Sequence, residues 1–74
     1  MKVKNVIKGY CSRNDITDLT IISEKAIEYS GDVKNYLYPC DIMEDYRKEL
    51  DNREVTRMEN IYINDSNNKL FIFI

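Results

Sequence analysis

The sequence predicts a small α+β domain, and three observations carry that prediction. Lys69-Leu70-Phe71-Ile72-Phe73-Ile74 is an apolar run separated from Arg57–Ile63 by the polar cluster Asn64-Asp65-Ser66-Asn67-Asn68. Ile and aromatic segments flanking such a cluster are the mark of a β-hairpin. Residues 42, 43, 46 and 50 place apolar side chains at helical spacing. The chain has 74 residues, of which 43% are hydrophobic and 32% charged, enough for one core and one solvated surface and too apolar for global disorder. The expected order is α-β-β-α-β-β in one domain spanning residues 1–74, a four-stranded antiparallel sheet with two helices on one face. A domain this small has a stability margin of about 3–5 kcal/mol.

Each element follows from local pattern. Val3, Val6, Ile7 and Tyr10 fall at i, i+3, i+4 and i+7, with Lys2, Lys4 and Lys8 off the stripe, which predicts a helix over 2–10. A strand is the alternative, since Val and Ile are β-formers. Cys11 to Asp15 reads as a polar connection. Ile16 to Glu24, with Leu19, Ile21 and Ile22 among threonines, predicts a strand. Glu24-Lys25 turns it, and Ala26 to Val33 returns as a second strand in which Gly31 marks a bulge or close approach. Asn35-Tyr36-Leu37-Tyr38-Pro39 is a Tyr-rich connection, and Pro39 holds Tyr38 extended. Asp41 with Glu44 three residues on has the form of a capping box opening a helix over 42–50. Ile42, Met43, Tyr46 and Leu50 form its apolar face, and Glu44–Lys48 and Glu49–Arg53 are i, i+4 pairs. In the closing hairpin, residues 70, 72 and 74 point one way and 71 and 73 the other. Both faces of that strand are apolar, so both call for cover by helices, a second sheet or a partner. Tyr10, Tyr29, Tyr46 and Tyr62 fall at core-facing positions.

The net charge of −2 argues against general nucleic-acid binding, which needs a basic face. No secretory leader and no 18-residue apolar run is present, so the expectation is a cytosolic protein with no membrane contact. Cys11 and Cys40 are then expected as reduced thiols, with a disulfide between them as the alternative. Eight Asn and ten Ile against two Gly and one Pro give the composition of an AT-rich genome.

The chain has no His, which removes the commonest general base, the commonest metal ligand and any Ser-His or Cys-His pair. Cys11 and Cys40 lack the spacing of a zinc site. Gly9 and Gly31 are the only glycines and form no phosphate loop. The carboxylates of Asp15 and Asp18, and of Asp41, Glu44 and Asp45, read as caps and solvated faces in a domain too small for a deep cleft. No catalytic residue, cofactor or metal is expected.

Two features point to a protein partner. Asp41, Glu44, Asp45, Glu49, Asp51 and Glu54 form an acidic run diluted by Arg47, Lys48 and Arg53. It reads either as a solvated helix face or as a negative stripe that docks on a basic surface through Glu44, Asp45 and Glu49. Tyr36 and Tyr38 lie in a connection where exposure is expected, and Tyr is enriched at binding hot spots. Phe71 and Phe73 are core residues if both sheet faces are covered, and otherwise a dimer or partner surface.

Tyr29-Ser30-Gly31-Asp32-Val33, Leu50-Asp51-Asn52-Arg53-Glu54-Val55 and the hairpin Ile61 to Ile74, together with the basic N-terminal helix, resemble small proteins from phages and prophages of low-GC Gram-positive bacteria. The longer helix produced by Tyr46-Arg47-Lys48-Glu49 departs from that pattern. The resemblance transfers no catalytic residue. It implies a non-enzymatic binder of host proteins, a group in which inhibitors of CRISPR and other defence effectors occur. The competing class is a structural interaction module or homodimer that pairs exposed strand edges.

Overall fold

The computed structural model describes all residues from Met1 to Ile74. An N-terminal helix comprises α1 (Val3–Val6) and a π-helical segment (Ile7–Cys11) that continues it, with Ser12 and Arg13 also helical. Then follow β1 (Asp18–Ile22), β2 (Ile27–Asp32), α2 (Val33–Leu37), α3 (Asp41–Asp51), β3 (Arg57–Asn64) and β4 (Asn67–Phe73). The α+β class, four strands and the two predicted hairpins are all present.

The sheet is mixed, where the sequence predicts an antiparallel one. Its order is β2-β1-β4-β3, and the central pair β1 and β4 runs parallel. Each hairpin is antiparallel internally, and the second lies against β1 rather than continuing the meander. The helical layer also holds one more helix than expected. Val33, Tyr36 and Leu37 have i, i+3, i+4 spacing, and the Asp32 side chain accepts a hydrogen bond from the Lys34 N–H at 2.9 Å, which starts a short helix. The N-terminal helix runs through the predicted connection to Arg13, and Asp15 turns the chain with φ 52°, a conformation Asp tolerates.

The helices cover one sheet face. Leu19, Ile21, Leu70 and Ile72 point into them and are at most 1% exposed. Val3, Val6, Ile7, Val33, Tyr36 and Leu50 pack onto this group from the helical side. Phe71 and Phe73 lie on the opposite, uncovered face and are half-buried there. The Arg57 guanidinium sits 4.1 Å from the Phe73 ring centroid and pairs with Glu59 at 3.2 Å, so part of the aromatic surface is shielded by a cation–π contact.

Local polar groups close the turns. Ser23 organises the β1–β2 turn that Glu24-Lys25 left undefined in sequence: its Oγ accepts from the N–H groups of Lys25 and Ala26 at 3.3 and 3.2 Å. In the second hairpin, Asn64 Oδ1 accepts from the Ser66 N–H at 2.9 Å. Asn68 is the one buried polar residue. Its Nδ2 donates to the carbonyl of Asn14, its Oδ1 accepts from Asn60, and its backbone bonds Thr17.

Gly9 sits within the N-terminal helix, and a Cβ there would meet nothing within 4 Å. Glycine in a helix interior costs about 0.5–1 kcal/mol relative to alanine, through the freedom it has in the unfolded chain. Gly9→Ala is therefore expected to stabilise the domain by about that amount, read as a higher urea midpoint at unchanged slope.

Candidate functional site

The α2–α3 corner carries the densest group of candidate residues. β2 feeds directly into α2, and Pro39 separates α2 from α3, which starts at Asp41 with Cys40 as its N-cap residue. The predicted capping box does not form. Cys40 occupies the cap position without a side-chain bond, Asp41 is the first helical residue, and Glu44 turns outward to Lys48 at 3.7 Å. The Asp41 and Glu44 charges still lie in the first turn, where the helix dipole favours them.

Three tyrosines build the inner wall. Tyr29 from β2 meets Tyr36 from α2 edge to face, with centroids 5.1 Å apart. Tyr36 donates to Asp51 Oδ1 at 2.7 Å, and Asp51 Oδ2 pairs with Arg47 at 3.4 Å. Tyr29 donates to the Asp32 carbonyl at 2.6 Å, passing close to Gly31. Tyr46 on α3 donates to Glu28 Oε2, and Glu28 Oε1 accepts from Ser23 Oγ at 2.7 Å. Every one of these hydroxyls donates to an acceptor of the chain itself. The rings therefore present mainly apolar surface to a cavity of about 280 Å³, rimmed by Tyr38, Pro39, Cys40 and Met43. Arg47 Nε is buried without a hydrogen-bond partner.

The network shifts its own titrations. Hydrogen bonds from Tyr46 and Ser23 hold the Glu28 carboxyl below its usual range. The same bond to Glu28 pushes the Tyr46 hydroxyl up to about 12. Burial, followed by the bond to Asp51, raises Tyr36. Burial alone pushes the Cys11 thiol up to about 11.

The sequence-predicted contact residues separate into three groups. Tyr38 is 82% exposed at the cavity rim, as expected of a connection before proline. Tyr36 is 2% exposed, because α2 forms and turns its ring onto the core. Glu44, Asp45 and Glu49 are all exposed, but Glu44 is engaged by Lys48 while Asp45 and Glu49 make no ion pair. The Glu49–Arg53 pair is absent, since the chain leaves the helix at Asn52. Asp51 leaves the acidic stripe for Tyr36 and Arg47.

Ile42 was missed as a surface residue. It is 90% exposed, although its place in the apolar set predicted burial. The inner stripe is Met43, Tyr46, Arg47 and Leu50, a complete i, i+3, i+4, i+7 set in which the Arg47 stem takes an apolar place. Counting Arg47 as amphipathic would have put Ile42 outside. Tyr62, expected in the core, is 62% exposed and donates to Asp65 at 2.6 Å.

No family model, curated protein or solved structure matches the chain. No three Cys, Asp or Glu side chains converge in a group that would hold a metal ion. No helix is long and apolar enough to cross a membrane.

Both cysteines are free thiols, Cys11 buried and Cys40 exposed. The thiolate is the reactive form, and Cys11 stays protonated well above pH 8. Native protein at pH 8 is expected to take up one equivalent of an alkylating reagent, at Cys40, and a second only after denaturation; mass mapping of the adducts decides it.

The Tyr46 hydroxyl makes a pH prediction. Its folded pKa of about 12 lies above the ordinary value near 10, so the folded state holds this proton more tightly. The contribution is complete below pH 10 and is lost as pH rises through about 12. Tyr46→Phe should remove this component of alkaline destabilisation, seen as a flatter dependence of the urea midpoint on pH between about 10 and 12.

Proposed function

We propose that this chain is a non-enzymatic protein-binding protein that docks through the α2–α3 corner on a basic surface of its partner. The observation that carries this reading is a stripe of α3 on which an exposed apolar side chain and two unpaired carboxylates follow one another, with an exposed tyrosine in the connection before the helix. Tyr38 and Ile42 are 82% and 90% exposed, and Asp45 and Glu49 follow Ile42 at i+3 and i+7 on the same helix. An aromatic anchor beside desolvatable apolar surface supplies affinity, and the carboxylates supply steering and register.

Together with the resemblance to small phage proteins, this surface supports a phage-encoded inhibitor of a bacterial defence effector, acting in the host cytoplasm. Effectors that handle nucleic acid present basic grooves, and an acidic corner competes for such a groove without binding nucleic acid itself.

The test uses purified chain against a panel of RNA-guided and other defence nucleases from low-GC Gram-positive bacteria, with target cleavage as the readout. Inhibition of at least one is expected, weakening as salt rises because exposed charges are screened over about 8–10 Å at physiological ionic strength. Glu44→Lys, Asp45→Lys and Glu49→Lys together should raise the inhibitory concentration by about tenfold or more while circular dichroism stays unchanged. Inhibition of no effector would reject the defence reading. A folded triple variant as potent as the parent would reject the acidic corner as the contact.

A further inference from the structure

We propose that a second, separate surface receives an extended peptide segment of a partner protein: the free edge of β3 together with the groove between β3 and the N-terminal helix. The segment adds as a fifth strand and carries an apolar residue and a carboxylate on the side that enters the groove.

The edge is open. β3 ends the sheet order and pairs only with β4, so its other side presents unpaired N–H and C=O groups. All eight of its residues are exposed. Three of the devices that blunt such an edge, proline, lysine and a bulge, are absent over its first five residues. There is no Pro or Lys in β3, and the bulge lies only at Tyr62/Asn64. Its two charges, Arg57 and Glu59, neutralise each other at 3.2 Å.

The edge also has a wall beside it. A depression of about 510 Å³ lies between the helix and Met58 of β3. Asn5, Gly9 and Arg13, spaced four apart, line the helical side. The helix starts beside the strand, since the backbone at Met1–Val3 pairs with residues 53–55 just before β3, and it stays beside it to Tyr10, whose hydroxyl donates to Asn60 Oδ1 at 3.2 Å. The helix covers about 12 Å from Asn5 to Arg13 at 1.5 Å per residue. An extended chain advances about 3.3 Å per residue and turns alternate side chains to one face, so two or three side chains enter the groove. This is the arrangement in which main-chain bonds supply affinity and alternate pockets supply specificity.

Two details select the occupant. The Met1 ammonium at the groove is already paired with Glu54 at 3.1 Å, which leaves Arg13 as the one charged side chain of the lining and the one cation there without an ion pair. A carboxylate of the incoming segment is its natural complement. Gly9 costs helix stability and no neighbour requires it, because a Cβ would meet nothing within 4 Å. What glycine provides is room, and the open Met58 and Val6 surface beside it accepts an apolar side chain.

The test selects peptides from a displayed library of random 12-residue sequences on the full chain, then measures the enriched peptides by fluorescence polarisation and amide shift mapping. Enriched sequences are expected to alternate apolar residues and to carry Asp or Glu, with shifts at residues 57–62 and along the helix at 5, 9 and 13. Arg13→Glu should weaken binding by about tenfold or more, and Gly9→Leu should block it while circular dichroism and the urea midpoint show the fold intact. The variant Glu44→Lys/Asp45→Lys/Glu49→Lys should bind these peptides like the parent, which separates this surface from the α2–α3 corner. No enrichment, peptides that map to the corner, or affinity unchanged in both groove variants would overturn the proposal. So would sedimentation showing a dimer whose β3 amides are protected, because a second copy would then occupy the edge.

Discussion

The parallel seam between β1 and β4 is the constraint on which the rest of this structure depends. Leu19 pairs with Leu70 and Ile21 with Ile72, and all four side chains are at most 1% exposed. Burying each contributes about 1.5–3 kcal/mol, comparable with the entire net margin of a domain this size. The seam joins residues about fifty positions apart, so it also carries most of the cost of closing the chain. Asn68 clamps one end of it. Its backbone bonds Thr17 at the entrance to β1, its amide reaches back to Asn14 behind the N-terminal helix, and its carbonyl oxygen holds Asn60 of β3. A buried amide is expensive unless satisfied, and here the satisfied amide ties helix, first hairpin and second hairpin to one register.

Elements whose signal is local were legible in the sequence. α3 and the second hairpin follow from period and turn chemistry and the first hairpin from period alone, and all stand within two or three residues of their predicted bounds. The direction of β1 against β4 was not legible. A strand's alternation specifies which side chains go inward but says nothing about which neighbour it takes or which way that neighbour runs. α2 was hidden for a different reason. Val33, Tyr36 and Leu37 have the helical spacing, but five residues before a proline are too few for periodicity to outweigh the turn composition. Of the candidate site, Tyr38, Asp45 and Glu49 were legible because exposure follows from polarity and from Pro39. Tyr36 and Ile42 exchanged their expected places, since burial there is decided by whether α2 forms and by an arginine stem completing the inner face of α3.

The corner itself is polar chemistry serving an apolar surface. The hydroxyls of Tyr29, Tyr36 and Tyr46 are each spent on an internal acceptor, and two of those acceptors are carboxylates. Charge-assisted bonds of this kind orient the rings more firmly than packing alone. The carboxylates so engaged, Glu28 and Asp51, are withdrawn from the outer surface, while Asp45 and Glu49 remain on it. The acidic character of the corner is thus narrower than the acidic run in the sequence, and on α3 it adjoins Ile42. Apolar contact and charge are offered together over a small area.

The net charge of −2 conceals a division between the helices. Residues 2–13 carry Lys2, Lys4, Lys8 and Arg13 and no acid, while α3 carries Asp41, Glu44, Asp45, Glu49 and Asp51 against Arg47 and Lys48. Sheet order turns this division into geometry. The tyrosines and carboxylates of the corner engage β2 at one edge of the sheet, and the N-terminal helix meets β3 at the other. The two helices still touch within the helical layer, where Lys4 and Lys8 lie beside Arg47 and Asp51 of the corner, while Arg13 alone of these basic side chains lines the groove against β3. Local potential rather than net charge governs encounter at distances near the Debye length. The fold thus holds an acidic, aromatic corner and a strand edge flanked by a single unpaired arginine as two surfaces of one small core.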